Sequence, residues 1–171
     1  MKIVLLGYMG SGKTTVGKEV AKRLQLTFID LDDYIESSEK MSIPEIFNQK
    51  GELYFRKKEH DYLQEVLEKE DGIILSTGGG TPCYGNNLDT IYEYTDDVVY
   101  LKPSIEELTR RLSKEKAERP LIRQIADTDL PEFIGKHLFE RAFYYNQARH
   151  IVHCDGKSPE RLAEEIDTML D

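Results

Sequence analysis

Residues 2–15 read KIVLLGYMGSGKTT, a short apolar run followed at once by a loop in which Gly7, Gly12, Lys13 and Thr14 fill every fixed position of G-x-x-x-x-G-K-[ST]. The next stretch, VGKEVAKRL, has helical spacing. Strand, glycine loop and helix in register form a unit in which the amides of residues 10 to 14 converge on phosphate oxygens at a helix N-terminus. Gly10, Ser11, Gly12, Lys13, Thr14 and Thr15 are therefore the expected nucleotide-contacting set. Lys13 is expected to reach the β- and γ-phosphates, and the Thr14 hydroxyl to ligate Mg²⁺.

That unit must be completed by a parallel sheet, and the sequence supplies the strands. LTFID (26–30), GIILS (72–76), DVVYL (97–101) and HIVHC (150–154) join KIVLL (2–6) as apolar runs. Segments near 13–24, 52–69, 104–114 and 159–170 carry apolar residues at three- and four-residue spacing. SIPE at 42–45 looks like a helix start, with Ser42 as cap and Pro44 in the first turn. The alternation predicts one α/β domain over residues 1–171, a three-layer α/β/α fold around a central five-stranded parallel sheet. Ligands in such folds sit beyond the carboxyl ends of the strands. The least regular stretch, about 113–131, is basic, carries Pro120 and Pro131, and reads as a mobile lid.

Composition removes several classes of function. The net charge of −9 argues against nucleic acid or an anionic membrane as the main partner. No apolar run approaches the roughly 18 residues of a membrane span. Cys83 and Cys154 lack metal-ligand spacing, and His60, His137, His150 and His153 do not complete a zinc pattern with them. Cys83 is expected to be a small packing residue, and His150 and His153 to be structural or surface groups on opposite faces of a strand. A reducing, cytoplasmic setting fits these thiols, and a monomer is the expected state.

A phosphate loop alone serves GTPases, motor ATPases, nucleotide kinases and small-metabolite kinases alike. At 171 residues, with no N/T-K-x-D guanine motif, transfer to a small acceptor is the leading class. Strand periodicity in FIDLDDYIE puts Asp30 and Asp32 on one side and Asp33 on the other, although a capping cluster for the following helix is the plainer reading. In GELYFRKKE, Arg56 and Glu59 stand three apart, as a surface pair would. Arg141 lies in LFERAFYYN, within a helix after the lid. IILSTGGGTP ends a strand with Gly78, Gly79 and Gly80, which implies either a sharp bend or an approach too close for a Cβ. Between Arg110 and Gln124 six basic residues face two acidic ones, enough for a local anion site.

Taken together, the loop at 7–14, D-x-D at 30–32, F-R-x-x-E at 55–59, G-G-G at 78–80, R-P-L at 119–121 and E-R at 140–141 resemble the shikimate kinase family in order and spacing, from residue 3 to about 165. The resemblance implies transfer of the γ-phosphoryl of ATP to the 3-hydroxyl of shikimate, in the chorismate branch of aromatic amino acid biosynthesis. It implies that Arg56 and Arg141 hold the acceptor carboxylate, and that amides of the Gly78–Gly80 turn meet the ring hydroxyls and carboxylate. Asp32 is implied as base or orienter of the attacking hydroxyl, within an acceptor-binding region at about 31–60. Asp30 would support Mg²⁺ through water, since IILST offers no carboxylate at the usual position. Arg119 would cover the transferring phosphate from the lid, with Lys13 and Asp32 as its catalytic companions.

On the adenine side the resemblance implies Arg110, and Lys157 stands where family members often place an arginine. Tyr8 and Met9 fall in a variable part of the loop and are expected to have no special role. Two other readings are compatible with the nucleotide loop: a gluconate-type sugar-acid kinase, and a catalytically silent regulatory relative. The joint presence of Lys13, Asp32, Arg56, Gly79, Arg119 and Arg141 weighs against both.

Overall fold

A computed structural model describes residues 1–170. In chain order the elements are β1 (Lys2–Leu6), α1 (Lys13–Leu24), β2 (Thr27–Asp30), α2 (Leu31–Glu39), α3 (Ile43–Lys69), β3 (Ile73–Ser76), α4 (Asn87–Tyr94), β4 (Val98–Lys102), α5 (Ile105–Glu115), α6 (Leu130–Tyr145), β5 (His150–His153) and α7 (Pro159–Met169). The five strands form one parallel sheet in the order β2-β3-β1-β4-β5. All five apolar runs became strands, each within a residue or so of its expected limits.

Two apolar layers flank the sheet. Val4, Leu6, Ile73 and Leu75 face α3 to α6, while Ile3, Leu5, Ile74 and Val152 face α1 and α7. Both faces of β1 and β3 are thus covered, which is why those strands read as continuous apolar runs instead of alternating ones.

Local chemistry sets the helix starts. Ser42, Ser104 and Ser158 accept hydrogen bonds from the amides of Glu45, Glu107 and Arg161, three residues on in each case. The SIPE start was legible, and the helix it opens continues to Lys69 across a break at Gly51, whose φ of 85° and ψ of 168° lie outside the helical region. That φ suits glycine and few other residues. The helix expected at 52–69 is therefore the second arm of α3.

The 113–131 stretch is less loose than its composition suggests. A 3₁₀ turn at Lys116–Glu118 follows α5, Lys116 pairs with Asp127 at 2.9 Å, and Ile122 is fully buried. Cys83 packs against the larger core layer, and burial pushes its thiol up to about 11, consistent with a packing role. His150 and His153 occupy the ends of β5.

Candidate functional site

Beyond the carboxyl ends of β1, β2 and β3 lies a cleft of about 410 Å³, walled by residues 9–15, Asp30, Asp32, Ser76 to Gly79, Arg111 and Arg119. The loop after β1 and the turn after β3 are neighbours because those strands pair directly, Leu5 beside Ser76. Gly12 carries a φ of 96° as it turns the chain into α1, a geometry that L side chains resist. Lys13 curls back across this loop, donating from Nζ to the carbonyls of Gly7 at 2.6 Å and Tyr8 at 3.1 Å. Burial pushes its ammonium down to about 8, against the opposing pull of Asp32 and Asp30.

The two aspartates reach the cleft by a route different from the one expected. The strand ends at Asp30, whose Oδ1 accepts from the Asp33 amide at 3.0 Å and so caps α2. Asp32 sits in the first helical turn, and strand periodicity does not govern it. Helical geometry still turns Asp32 inward and leaves Asp33 exposed. The capping role and a role in the cleft therefore coexist. Burial, reinforced by the charges of Asp30 and Glu59, pushes the Asp32 carboxyl up to about 7. Burial likewise raises Asp30.

The three glycines have no positive φ, so the turn does not require them on conformational grounds. What stands against them leaves little room for a side chain. A Cβ on Gly78 would lie 3.0 Å from Asp32 Oδ1, one on Gly79 would lie 2.9 Å from Arg141 Nη1, and one on Gly80 would lie 3.2 Å from both terminal nitrogens of Arg56. Each glycine thus faces one of the three side chains that the sequence singled out. The amides of Gly79 and Gly80 take no backbone acceptor among the described residues.

Arg56 and Arg141 are held differently. Arg56 Nη1 donates to Glu59 Oε1 at 2.9 Å, and the Glu59 side chain is only 2% exposed. Glu59 Oε2 in turn accepts from the Thr81 hydroxyl at 2.9 Å, and the Thr81 carbonyl accepts from Asn87. The guanidinium is stacked 3.7 Å from the Tyr84 ring centroid. Its Nε is buried without a hydrogen-bond partner, Glu52 being 4.0 Å away. Glu59 was legible only as a surface partner of Arg56, and Thr81, Asn87 and Tyr84 were not singled out. Spacing reveals an i,i+3 pair but not its depth.

Arg141 forms no ion pair among the described residues. Its Nη1 donates to the Tyr145 hydroxyl at 3.3 Å, and its guanidinium lies 5.7 Å from the Tyr8 ring. Tyr8 is fully enclosed, and its hydroxyl is 2.9 Å from His137 Nδ1. The residue expected to be incidental therefore ties the nucleotide loop to α6.

On α5 the structure brings Arg111 to the cleft and leaves Arg110 outside. Arg111 Nη1 donates to the Gly10 carbonyl at 3.1 Å, whereas Arg110 is 58% exposed and pairs with Glu107. The buried positions Leu108 and Leu112 set the inner face of this helix, and Arg111 flanks it. Lys157 pairs with Glu165 at 2.9 Å and does not wall the cleft. Arg119 does, while also holding Glu115 at 3.0 Å.

Comparison with known proteins gives one family. A family model described as shikimate kinase matches residues 9–171. A shikimate kinase of Flavobacterium psychrophilum is 46% identical over 171 residues, covering 99% of this chain and 98% of its own. A crystal structure of shikimate kinase from Bacteroides thetaiotaomicron is 37% identical with a TM-score of 0.91, covering 99% of this chain and 98% of that one. Shikimate kinase from Acinetobacter baumannii, solved in complex with shikimate, is 31% identical with a TM-score of 0.88, covering 99% and 92%.

Proposed function

The chain belongs to the shikimate kinase family and is an ATP-dependent phosphotransferase of aromatic amino acid biosynthesis, and from that premise we propose how its residues divide the work. The γ-phosphoryl passes to the 3-hydroxyl of shikimate. The observation that carries this assignment is the alignment of Gly78, Gly79 and Gly80 with Asp32, Arg141 and Arg56. An acceptor with one carboxylate and several hydroxyls needs two cations, exposed amides and a carboxylate within one small space.

Arg56, oriented by Glu59 and Tyr84, and Arg141, which forms no ion pair among the described residues, supply the two cations for the acceptor carboxylate. The free amides of Gly79 and Gly80 donate to the acceptor's oxygens. Asp32 accepts from the attacking hydroxyl, and its elevated basicity suits proton transfer near neutral pH. Lys13 exchanges its contacts with the loop carbonyls for phosphate oxygens. Arg119, on a lid spanning about 113–131, covers the transferring group and excludes water, which favours transfer over hydrolysis. Arg111, better placed than Arg110 or Lys157, takes the adenine side.

Thr14, Asp30 and Asp32 form an all-oxygen set suited to Mg²⁺, which keeps most of its waters when protein ligands are few. Thr14 would hold the ion directly and Asp30 through water. The bound ion would supply positive charge that offsets the charge developing on the transferring group. Its two cysteines are unpaired, which fits a reducing, cytoplasmic setting, and monomeric action belongs to the same reading.

The test is ADP release with Mg²⁺ and ATP in the presence of shikimate, of gluconate, or of neither. Stimulation by shikimate alone is expected. Stimulation by gluconate would overturn the acceptor assignment, and Arg56→Ala with an unchanged KM for shikimate would remove that arginine from the site.

A further inference from the structure

Tyr145, the last residue of α6, is completely buried, with its ring 4.9 Å from that of Tyr100 on β4. A buried tyrosine hydroxyl needs partners, and this one has two. It donates to the Gly79 carbonyl at 2.6 Å and accepts from Arg141 Nη1 at 3.3 Å. Burial raises its pKa above the ordinary tyrosine value, so the proton that it donates stays in place at working pH.

The two contacts have a joint geometric effect. The C=O of Gly79 and the N–H of Gly80 belong to one planar trans peptide unit and point in opposite directions. Holding the carbonyl toward Tyr145 therefore turns the Gly80 N–H away from it, to the side where that N–H has no backbone acceptor. The glycines supply none of this stiffness themselves, since they carry no side chain to pack and cost the most entropy to order. The same hydroxyl is the hydrogen-bond acceptor for Arg141, which no carboxylate among the described residues holds.

We propose that the Tyr145 hydroxyl is a positioning residue for the acceptor, orienting at once the peptide donor at Gly80 and the cation at Arg141. The proposal rests on the reading that Arg141 and the glycine turn receive the acceptor, and goes beyond it by naming what holds them in place. It touches neither substrate. Its effect is transmitted through two groups that otherwise lack a rigid support.

The experiment is steady-state kinetics on Tyr145→Phe, which keeps the ring and its packing, alongside Arg141→Gln and the double variant. Loss of the hydroxyl is expected to raise the KM for shikimate by about 10-fold, the order associated with one hydrogen bond to a charged group. The KM for ATP should move less than about twofold, and the double variant should fall short of the product of the two single effects, because the residues share one contact. An unchanged shikimate KM in Tyr145→Phe, with a raised one in Arg141→Gln, would overturn the positioning role and leave the site reading intact. If neither variant alters the shikimate KM, the site reading itself fails and the positioning role with it. If only the apparent kcat falls, in proportion to a loss of folded protein seen by thermal melting, and neither substrate's KM moves, Tyr145 is a packing residue and the proposal is wrong.

Discussion

α3 and α6 each set one arginine against the glycine turn that follows β3, yet they hold it in opposite ways. Arg56 is locked between a buried carboxylate and an aromatic ring, with Glu59 at 2.9 Å and Tyr84 at 3.7 Å from it. Arg141 has no ion pair among the described residues and leans on a neutral hydroxyl 3.3 Å away. One cation is part of the protein's framework before any ligand arrives, and the other keeps most of its charge available. The contrast separates affinity from stability: equal contributions to the acceptor need not mean equal contributions to the fold.

The largest expected effect belongs to Asp32, which stands against Gly78 in the same turn. Asp32→Asn should lower kcat by about 10²- to 10⁴-fold, the usual range for loss of a general base, as measured by ADP release at saturating substrates. Near-normal turnover would leave the two arginines as the whole of the acceptor chemistry.

The comparison itself is tested by truncating each arginine and measuring denaturant unfolding. Arg56→Ala strands the Glu59 charge and should cost about 2–3 kcal/mol, somewhat below a fully buried pair because Arg56 remains 21% exposed. Arg141→Ala strands no charge and should cost less than about 1 kcal/mol. Both should raise the KM for shikimate. Equal losses of stability would erase the distinction between the two arginines.

A smaller effect isolates the ring over Arg56. Tyr84→Leu should raise the KM for shikimate by about 2- to 5-fold, matching a cation–π contribution of about 0.5–1 kcal/mol, whereas Tyr84→Phe should leave it near wild type. If Phe and Leu behave alike, the ring acts only by shape.

The smallest effect concerns the support of the lid-side wall. Two arginines, Arg110 and then Arg111, hold the Glu107 carboxyl down at about 2. A depressed carboxyl contributes stability above its ordinary value, and that contribution fades as pH falls through about 2. The Glu107→Gln variant should therefore show a flatter decline in stability below about pH 4.5, with a cost at neutral pH under about 1 kcal/mol because the pair is largely solvated. An identical acid slope in both proteins would dissociate Glu107 from the arginine that grips the Gly10 carbonyl.

The sheet was legible because its strands are buried on both faces, and buried parallel strands announce themselves as unbroken apolar runs. The nucleotide loop was legible because its glycines and lysine are dictated by backbone geometry and local charge. The residues around the glycine turn are legible in the sequence as types, but their supports are not. Strand periodicity places Asp32 on a strand face, although Asp30 ends the strand by capping α2. The resemblance points to Arg110, although Leu108 and Leu112 mark the inward face of α5 and Arg111 adjoins it. The depth of Glu59 and the partners of Tyr8 and Tyr145 are hidden for a common cause. Each matters through a partner remote in sequence, and a one-dimensional pattern records spacing but not depth.

In the sheet, Ser76 stands beside Leu5 on one flank and Asp30 on the other. The nucleotide loop after β1, the glycine turn after β3 and the aspartates that end β2 and open α2 therefore leave the sheet from a single row, with the glycine turn in the middle. Neighbouring strands are about 4.8 Å apart whatever their side chains. The scale on which two small molecules meet is thus fixed by a repeat of the peptide backbone itself, and evolution could revise the chemistry on either side without resetting the ruler.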